Sequence, residues 1–97
     1  MTTLDEIVRV LKEKKPLLEK EYHVNELGIF GSYVRGEQNK KSDLDVLVSF
    51  TENPNLFDFL DLREAIGNAV KTKVDLVTKD SLKPNIGKHI LDEVKYL

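Results

Sequence analysis

The fold of this chain is constrained most by three short segments that have the pattern of β-strands. Segments with helical spacing separate them. The strand segments are residues 24–30 (VNELGIF), 43–50 (DLDVLVSF) and 73–78 (KVDLVT). In the second segment every other residue from Leu44 to Phe50 is apolar, which places one face of that strand on a core. Strands that alternate with helices predict a single α/β or α+β domain, with a small mixed β-sheet flanked by helices.

The amino-terminal segment predicts a helix with an interruption. Thr3 and Glu6 form the S/T-x-x-E pattern of a capping box, and apolar residues follow at helical spacing. Pro16 lacks an amide hydrogen and clashes with the preceding turn of a helix. We therefore expect the first helix to end there and a second short helix to cover residues 17–22.

Further helices are expected along the rest of the chain. They are placed at residues 32–35 between two glycines, at residues 56–71 with Asn55 as N-cap, and from Pro84 onward with an extended piece at residues 94–97. The buried side of the helix at residues 56–71 is expected to contain five apolar residues: Leu56, Phe59, Leu60, Ile66 and Val70.

Length and charge restrict the possibilities further. The 97 residues suffice for one small domain, residues 1–97, with a single core. With 15 Lys and Arg residues and 17 Asp and Glu residues the formal net charge is -2, unlike the strongly basic surface of nucleic-acid-binding domains. The chain lacks cysteine, and it lacks the run of about 20 apolar residues that would cross a bilayer. A cytoplasmic protein without a membrane partner is expected.

Two carboxylates, one residue apart, open the second strand segment. Asp43 and Asp45 are expected to face the same side, about 6.5 Å apart at Cα. Their charges repel, so either a cation binds between them or both are solvated at the end of the strand. Asp75 joins them if the second and third strands are neighbours. Three carboxylates suit Mg²⁺, although surface strands often carry acids at their ends without binding a metal.

A glycine-serine turn precedes the acidic pair. The stretch GSYVRG, residues 31–36, follows the first strand segment directly. Gly31 lets a ligand approach the backbone closely, and the amides at the start of the short helix attract an anion. The Ser32 hydroxyl can donate to a phosphate oxygen, or it can serve only as a helix cap. The turn is not a P-loop, because it lacks the G-K-[ST] lysine.

Together, GSYVRG, SDLDVLVSF and KVDLV resemble the signature of the DNA polymerase β-like nucleotidyltransferase superfamily. The sequence is most similar to the minimal nucleotidyltransferases (MNT), over nearly the whole chain, and it departs at Val34, where many relatives carry alanine. The resemblance implies the polymerase β-like fold and transfer of a nucleoside monophosphate, usually from ATP, with release of pyrophosphate. Asp43, Asp45 and Asp75 would then be catalytic carboxylates that hold two Mg²⁺ ions, with Asp75 at the metal that activates the attacking hydroxyl.

The resemblance also implies residues that bind the nucleotide. Gly31 and Ser32 would hold its β- and γ-phosphates. Arg35 would contact the nucleotide or a partner, or form an ion pair with a nearby acid. Ser42 is a further candidate for nucleotide binding, and its alternatives are a bond to the loop backbone or a cap at the edge of the strand.

Finally, the resemblance implies a partner protein. MNT proteins resemble the antitoxin of two-gene toxin–antitoxin systems whose toxin is a helical HEPN-domain ribonuclease. The expected activity is Mg²⁺-dependent transfer of AMP from ATP to a tyrosine hydroxyl of that toxin, within a hetero-oligomer of the two proteins. The alternatives are an antitoxin that acts by binding only, and an orphan nucleotidyltransferase that modifies a hydroxyl of a small molecule or nucleic acid. The charge balance argues against a nucleic-acid partner.

Overall fold

Within residues 3–97, which the computed structural model describes apart from the side chain of Ile86, the chain forms four α-helices and a four-stranded mixed sheet. The helices are α1 (Leu4–Tyr22), α2 (Ser32–Arg35), α3 (Leu56–Val70) and α4 (Pro84–Glu93), and a 3₁₀ turn covers Lys79–Ser81. The strands are β1 (Val24–Phe30), β2 (Leu44–Phe50), β3 (Val74–Thr78) and β4 (Lys95–Tyr96). The expected α/β architecture with a small mixed sheet is confirmed.

The strand order is β3-β2-β1-β4, and it makes the two acidic strands neighbours. β2 runs parallel to β3 and antiparallel to β1, and β4 pairs with β1 at the other edge. The parallel register sets Asp45 beside Asp75 and Val46 beside Leu76. Paired residues lie on the same face of a sheet, so the two aspartates share a face.

The core lies on the opposite face of the sheet from these aspartates. There α1 and α3 pack against each other and cover the strands. Buried apolar side chains from both helices and from the three longer strands form this core, among them Ile7, Leu11, Leu62, Ile66, Leu27, Ile29, Val46 and Val48. Because helices fill that face, the side chains of Asp45 and Asp75 point away from the core.

The expected interruption at Pro16 is wrong, because α1 is continuous from Leu4 to Tyr22. A proline inside a helix costs about 3 kcal/mol or more. Leu11 and Leu18, before and after it, are only 0% and 4% exposed, and burying a leucine contributes roughly 1.5–3 kcal/mol. Pro16 itself is exposed, so the carbonyl one turn earlier, which loses its helical donor, lies where water can bond it. Packing on both sides of Pro16 therefore overrides its local effect.

The predicted cap of α3 is confirmed, but two of the five predicted core residues are wrong: Leu56 is exposed, and Leu60 is half-buried outside the core. Asn55 Oδ1 accepts a hydrogen bond from the Asp58 amide at 2.8 Å. Leu56, expected in the core, is 68% exposed, whereas Leu62 is fully buried. The two residues are six positions apart, which is about 240° around a helix, so they point to different sides. The side that meets the sheet carries residues spaced by four: Leu62, Ile66 and Val70.

The extended piece expected after α4 forms a short edge strand. In β4, Tyr96 pairs with Gly28 and Lys95 with Ile29. A Cβ on Gly28 would lie 2.5 Å from a methyl carbon of Val94, so the missing side chain lets the chain turn from α4 into β4 against β1. This pairing fixes the end of α4 beside the end of β1. No helix of the described residues is long and apolar enough to cross a membrane.

Candidate active site

The centre of the candidate site is the pair Asp45 and Asp75 on the face of the sheet away from the core. Asp45 is half-buried and Asp75 is exposed. Burial of Asp45, followed by the charges of Asp75 and Asp43, raises the pKa of Asp45 above its ordinary value of 3.8. Asp43 precedes β2, which begins at Leu44 rather than at residue 43 as expected. The structure therefore brings Asp45 and Asp75 into register and holds Asp43 close enough to repel Asp45.

The backbone of Gly31 lies directly against the Asp45 carboxylate. Phe30, at the end of β1, pairs with Asp45, so the residue after it passes beside that side chain. Gly31 has φ +82°, and a Cβ at this position would overlap the Asp45 carboxylate oxygen. Only glycine combines that φ with that approach. The turn and the acidic pair thus form one site, as the spacing of GSYVRG and SDLD suggested.

The Gly31 turn begins the single helical turn α2, which the sequence predicted correctly. The Gly31 carbonyl accepts hydrogen bonds from the amides of Val34 and Arg35 at 3.1 and 3.2 Å. Gly36, with φ +72°, ends the helix. The Ser32 hydroxyl makes no hydrogen bond to any other residue in the range 3–97. Its donor is therefore available to a ligand, and it does not act as a helix cap.

Two nucleotide-binding candidates already have partners within the chain. Arg35 pairs with Glu37 at 3.2 Å and with Glu93 at 2.6 Å, and these acids raise the pKa of the guanidinium, Glu93 the more strongly. Ser42 Oγ accepts a hydrogen bond from the Asn39 amide at 2.9 Å, which shapes the loop before β2. The ion pair and the loop bond, both among the alternatives, are thus present, and nucleotide binding by Arg35 and Ser42 stays a prediction.

The acidic residues fit a divalent cation in their chemistry, although they are not arranged as a complete chelate. Across residues 3–97, no group of three or more acidic, histidine or cysteine side chains is positioned to hold a metal ion. The Asp45 carboxylate receives no hydrogen bond from another described side chain, and it is repelled by three further carboxylates, those of Asp75, Asp43 and Glu93. An all-oxygen, mutually repelling set of this kind suits Mg²⁺, which keeps water and phosphate ligands in addition to protein ones.

Sequence reasoning missed one residue of the site, Glu93 at the end of α4. Its Oε2 accepts a hydrogen bond from the Gly31 amide at 2.8 Å, and its Oε1 accepts one from Arg35. Arg35 first, and then the Gly31 amide, lower the pKa of Glu93. A sequence signal existed, because an acid in the last turn of a helix is unfavourable next to the helix dipole unless a cation neutralises it.

A cleft of about 520 Å³ lies between the turn and α4. Its walls come from β1, the turn, β2 and one face of α4, and they consist of Phe30, Gly31, Arg35, Asp45, His89, Ile90 and Glu93. His89, on α4, is exposed. The cleft is open to solvent and borders the Asp45 carboxylate, so it offers space for a ligand of that site.

Comparison with known proteins decides the family. The model of the nucleotidyltransferase domain family matches residues 4–97. The chain belongs to this nucleotidyltransferase family. A protein adenylyltransferase of Thermococcus cleftensis, MntA, is 46% identical to this nucleotidyltransferase over 97 residues, covering 100% of this chain and 98% of the relative.

Solved structures agree with the family and the fold. A structure described provisionally as a minimal nucleotidyltransferase has a TM-score of 0.79 at 33% identity, covering 95% of this nucleotidyltransferase and 94% of that chain. A structure of the tri-AMPylated Shewanella oneidensis HEPN toxin in complex with MNT antitoxin has a TM-score of 0.60 at 20% identity, covering 95% and 66%. The predicted membership of the minimal nucleotidyltransferases and the polymerase β-like fold are confirmed. The roles of individual residues stay predictions.

Proposed function

We propose that this nucleotidyltransferase is an Mg²⁺-dependent protein adenylyltransferase that acts as an antitoxin. It transfers AMP from ATP to a tyrosine hydroxyl of a helical HEPN-type toxin and so neutralises that toxin. The observation that carries the proposal is the register of β2 and β3, which sets Asp45 beside Asp75 on the face away from the core, next to the Gly31 turn. A phosphate-binding turn beside paired carboxylates is the combination that nucleotidyl transfer requires.

The residues of the site divide the work between metal and phosphate. Asp43, Asp45 and Asp75 would hold the Mg²⁺ ions, which when bound neutralise the triphosphate and lower the pKa of the acceptor hydroxyl. Ser32 donates its free hydroxyl to a terminal phosphate oxygen, beside Gly31. Asp75 is exposed, so a hydroxyl presented by another protein reaches this side of the site from solvent.

The transfer itself is a substitution at the α-phosphorus of ATP. The acceptor hydroxyl releases its proton to solvent, and its oxygen forms a bond to the α-phosphorus. The bond from that phosphorus to the oxygen that bridges to the β-phosphate breaks, and its electron pair leaves with pyrophosphate. The glycine-serine turn keeps the leaving phosphates in place, and the cleft between the turn and α4 gives them room. Holding the phosphates in line with the acceptor accelerates the reaction by orienting the reacting groups, without new covalent chemistry.

Relatives support the acceptor and the partner class. The Thermococcus relative is named a protein adenylyltransferase and is 46% identical, which supports AMP as the transferred group and a protein as acceptor. The MNT antitoxin of Shewanella oneidensis, which shares the fold, is bound to a tri-AMPylated HEPN toxin. Transfer to a small molecule or nucleic acid has no comparable support, and the net charge of -2 disfavours a nucleic-acid acceptor.

Intact-mass measurement tests the proposal. The protein is incubated with Mg²⁺, each NTP in turn, and a HEPN-type protein that co-purifies with it. We expect the partner to gain AMP from ATP, and the gain to disappear in Asp43→Asn, Asp45→Asn and Asp75→Asn. Asp61→Asn, an exposed change of equal charge on α3, is the matched control and should transfer normally.

Two outcomes would contradict the proposal in different ways. If no NTP adds mass to the partner, the chain is not an adenylyltransferase for that protein. If the aspartate variants lose transfer yet protect cells from the toxin as well as wild type does, neutralisation works by binding only. Peptide mapping of the modified partner then identifies the acceptor residue, and any residue other than tyrosine corrects that part of the proposal.

A further inference from the structure

A carboxylate of the chain itself lies on the amide of Gly31, the residue that the proposed function gives to the phosphates of the nucleotide, and on Arg35 beside it. Glu93 Oε2 accepts from the Gly31 amide at 2.8 Å, and Glu93 Oε1 accepts from Arg35 Nη1 at 2.6 Å. Hydrogen bonds to an ionised group are the stronger class. In the free protein, the Gly31 amide and one side of the Arg35 guanidinium are therefore occupied by an anion.

The Glu93 carboxylate offers the turn the same kind of groups as a phosphate does. Like one edge of a phosphate group, it presents two anionic oxygens, one to a backbone amide and one to a guanidinium. Its charge also acts on Asp45, in the same direction as the charges of Asp75 and Asp43. A triphosphate that entered with Glu93 in place would meet one more negative charge and would find Arg35 already neutralised.

The carboxylate can leave this position without any unfolding of α4. The Glu93 side chain is 22% exposed and borders the open cleft. The end of the helix is held independently, because the Val94 amide donates to the Ile90 carbonyl at 2.8 Å and β4 follows at once. A rotation of the side chain into the open cleft is therefore sufficient.

We propose that Glu93 is an internal competitor of the nucleotide. Its carboxylate binds the Gly31 amide and Arg35 in the free protein, the triphosphate displaces it, and Arg35 then binds a phosphate. This inference rests on the proposed function, specifically on the assignment of the Gly31 turn to phosphate binding. Glu93 thereby sets how tightly the site binds the triphosphate, since each bound anion must first break two charge-assisted hydrogen bonds.

Calorimetric titration with inorganic tripolyphosphate tests the proposal, because this probe needs neither a base pocket nor an acceptor. The variants are Glu93→Gln, which keeps the side-chain volume, and Glu93→Ala. Asp92→Asn, an exposed change of equal charge in the same helical turn, is the control. We expect both Glu93 variants to bind tripolyphosphate about tenfold more tightly than wild type, the effect of removing one charge-assisted competitor, and the control to bind as wild type does.

A measurement on the wild-type protein keeps the test independent of folding in the variants. The ¹³C signal of the Glu93 carboxylate should move, at saturating tripolyphosphate, to that of a solvent-exposed glutamate. Two outcomes overturn this inference: a ¹³C signal that stays in place, or a folded Glu93→Gln variant that binds tripolyphosphate no more tightly than wild type. If wild type still transfers AMP, only this inference fails and the proposed function stands. If wild type neither binds tripolyphosphate nor transfers AMP, the proposed function and this inference both fail.

Discussion

Replacing Asp45 by asparagine is expected to stabilise the metal-free protein. Burial first, and then repulsion by the charges of Asp75 and Asp43, raises the pKa of the half-buried Asp45 carboxyl group above its ordinary value of 3.8. A carboxyl group with a raised folded-state pKa binds protons more tightly in the fold than in the unfolded chain. Stability therefore falls as the pH rises from the unfolded pKa through the folded one, and the full penalty persists at neutral pH. Asparagine removes the charge and keeps the shape.

The magnitude follows from the spacing of the strands. Neighbouring strands lie about 4.8 Å apart, and two unit charges at that separation repel by about 0.9 kcal/mol in bulk water and about 3.5 kcal/mol at an effective dielectric constant of 20. Because Asp75 is exposed, the lower end of this interval applies. We therefore expect the free energy of unfolding to rise by about 1 kcal/mol, which for a domain of this size corresponds to a Tm increase of roughly 4–8 °C.

Thermal unfolding followed by circular dichroism measures this difference. In EDTA at neutral pH, Asp45→Asn should melt above wild type, and the control Asp61→Asn should melt as wild type does. The difference should vanish in acid, below the unfolded pKa, where Asp45 is neutral in both states. Added Mg²⁺ should raise the Tm of wild type and not that of Asp45→Asn. An Asp45→Asn protein that melts at or below wild type in EDTA would refute the reasoning from repulsion.

Three further substitutions test other contacts, each by denaturant unfolding. Gly31→Ala should lower the free energy of unfolding by at least about 1–2 kcal/mol, because of its φ of +82° and the overlap with Asp45, and AMP transfer should be lost; a stable, active variant contradicts this. Pro16→Ala should raise the free energy of unfolding by up to about 3 kcal/mol. An unchanged free energy would mean that Pro16 does not strain α1. Asn55→Ala should lower it by about 1 kcal/mol through loss of the cap on Asp58, whereas Asn55→Asp should not.

The acidic half of the site could be predicted from sequence because it depends on local rules. Alternation along a strand places Asp45 opposite to the buried Val46, and the same rule places Asp75 opposite to Leu76. Once two such strands are parallel neighbours, one register places Asp45 beside Asp75 and Val46 beside Leu76. The signature GSYVRG then added the turn, whose position beside Asp45 follows from the pairing of Phe30 with Asp45.

The errors lie where tertiary packing, rather than the local sequence, decides the structure. α3 is apolar on several sides of its first two turns, so its sequence does not reveal which side meets the sheet. The structure selects the side of Leu62 and leaves Leu56 in solvent. Pro16 is similar, because a local rule predicts a break, whereas the buried Leu11 and Leu18 hold both halves of α1 on one surface. In each case a tertiary contact outweighs a local preference.

Glu93 was missed because its partners are far away in sequence. Gly31 is 62 residues and Arg35 is 58 residues from it, and only the pairing of β4 with β1 brings them together. That pairing requires Gly28, where any side chain would displace Val94. Glu93, which contacts the Gly31 turn, is thus positioned in part by a glycine on β1 that pairs with the edge strand β4. A change at Gly28 should therefore act on anion binding through Glu93, although Gly28 does not line the cleft.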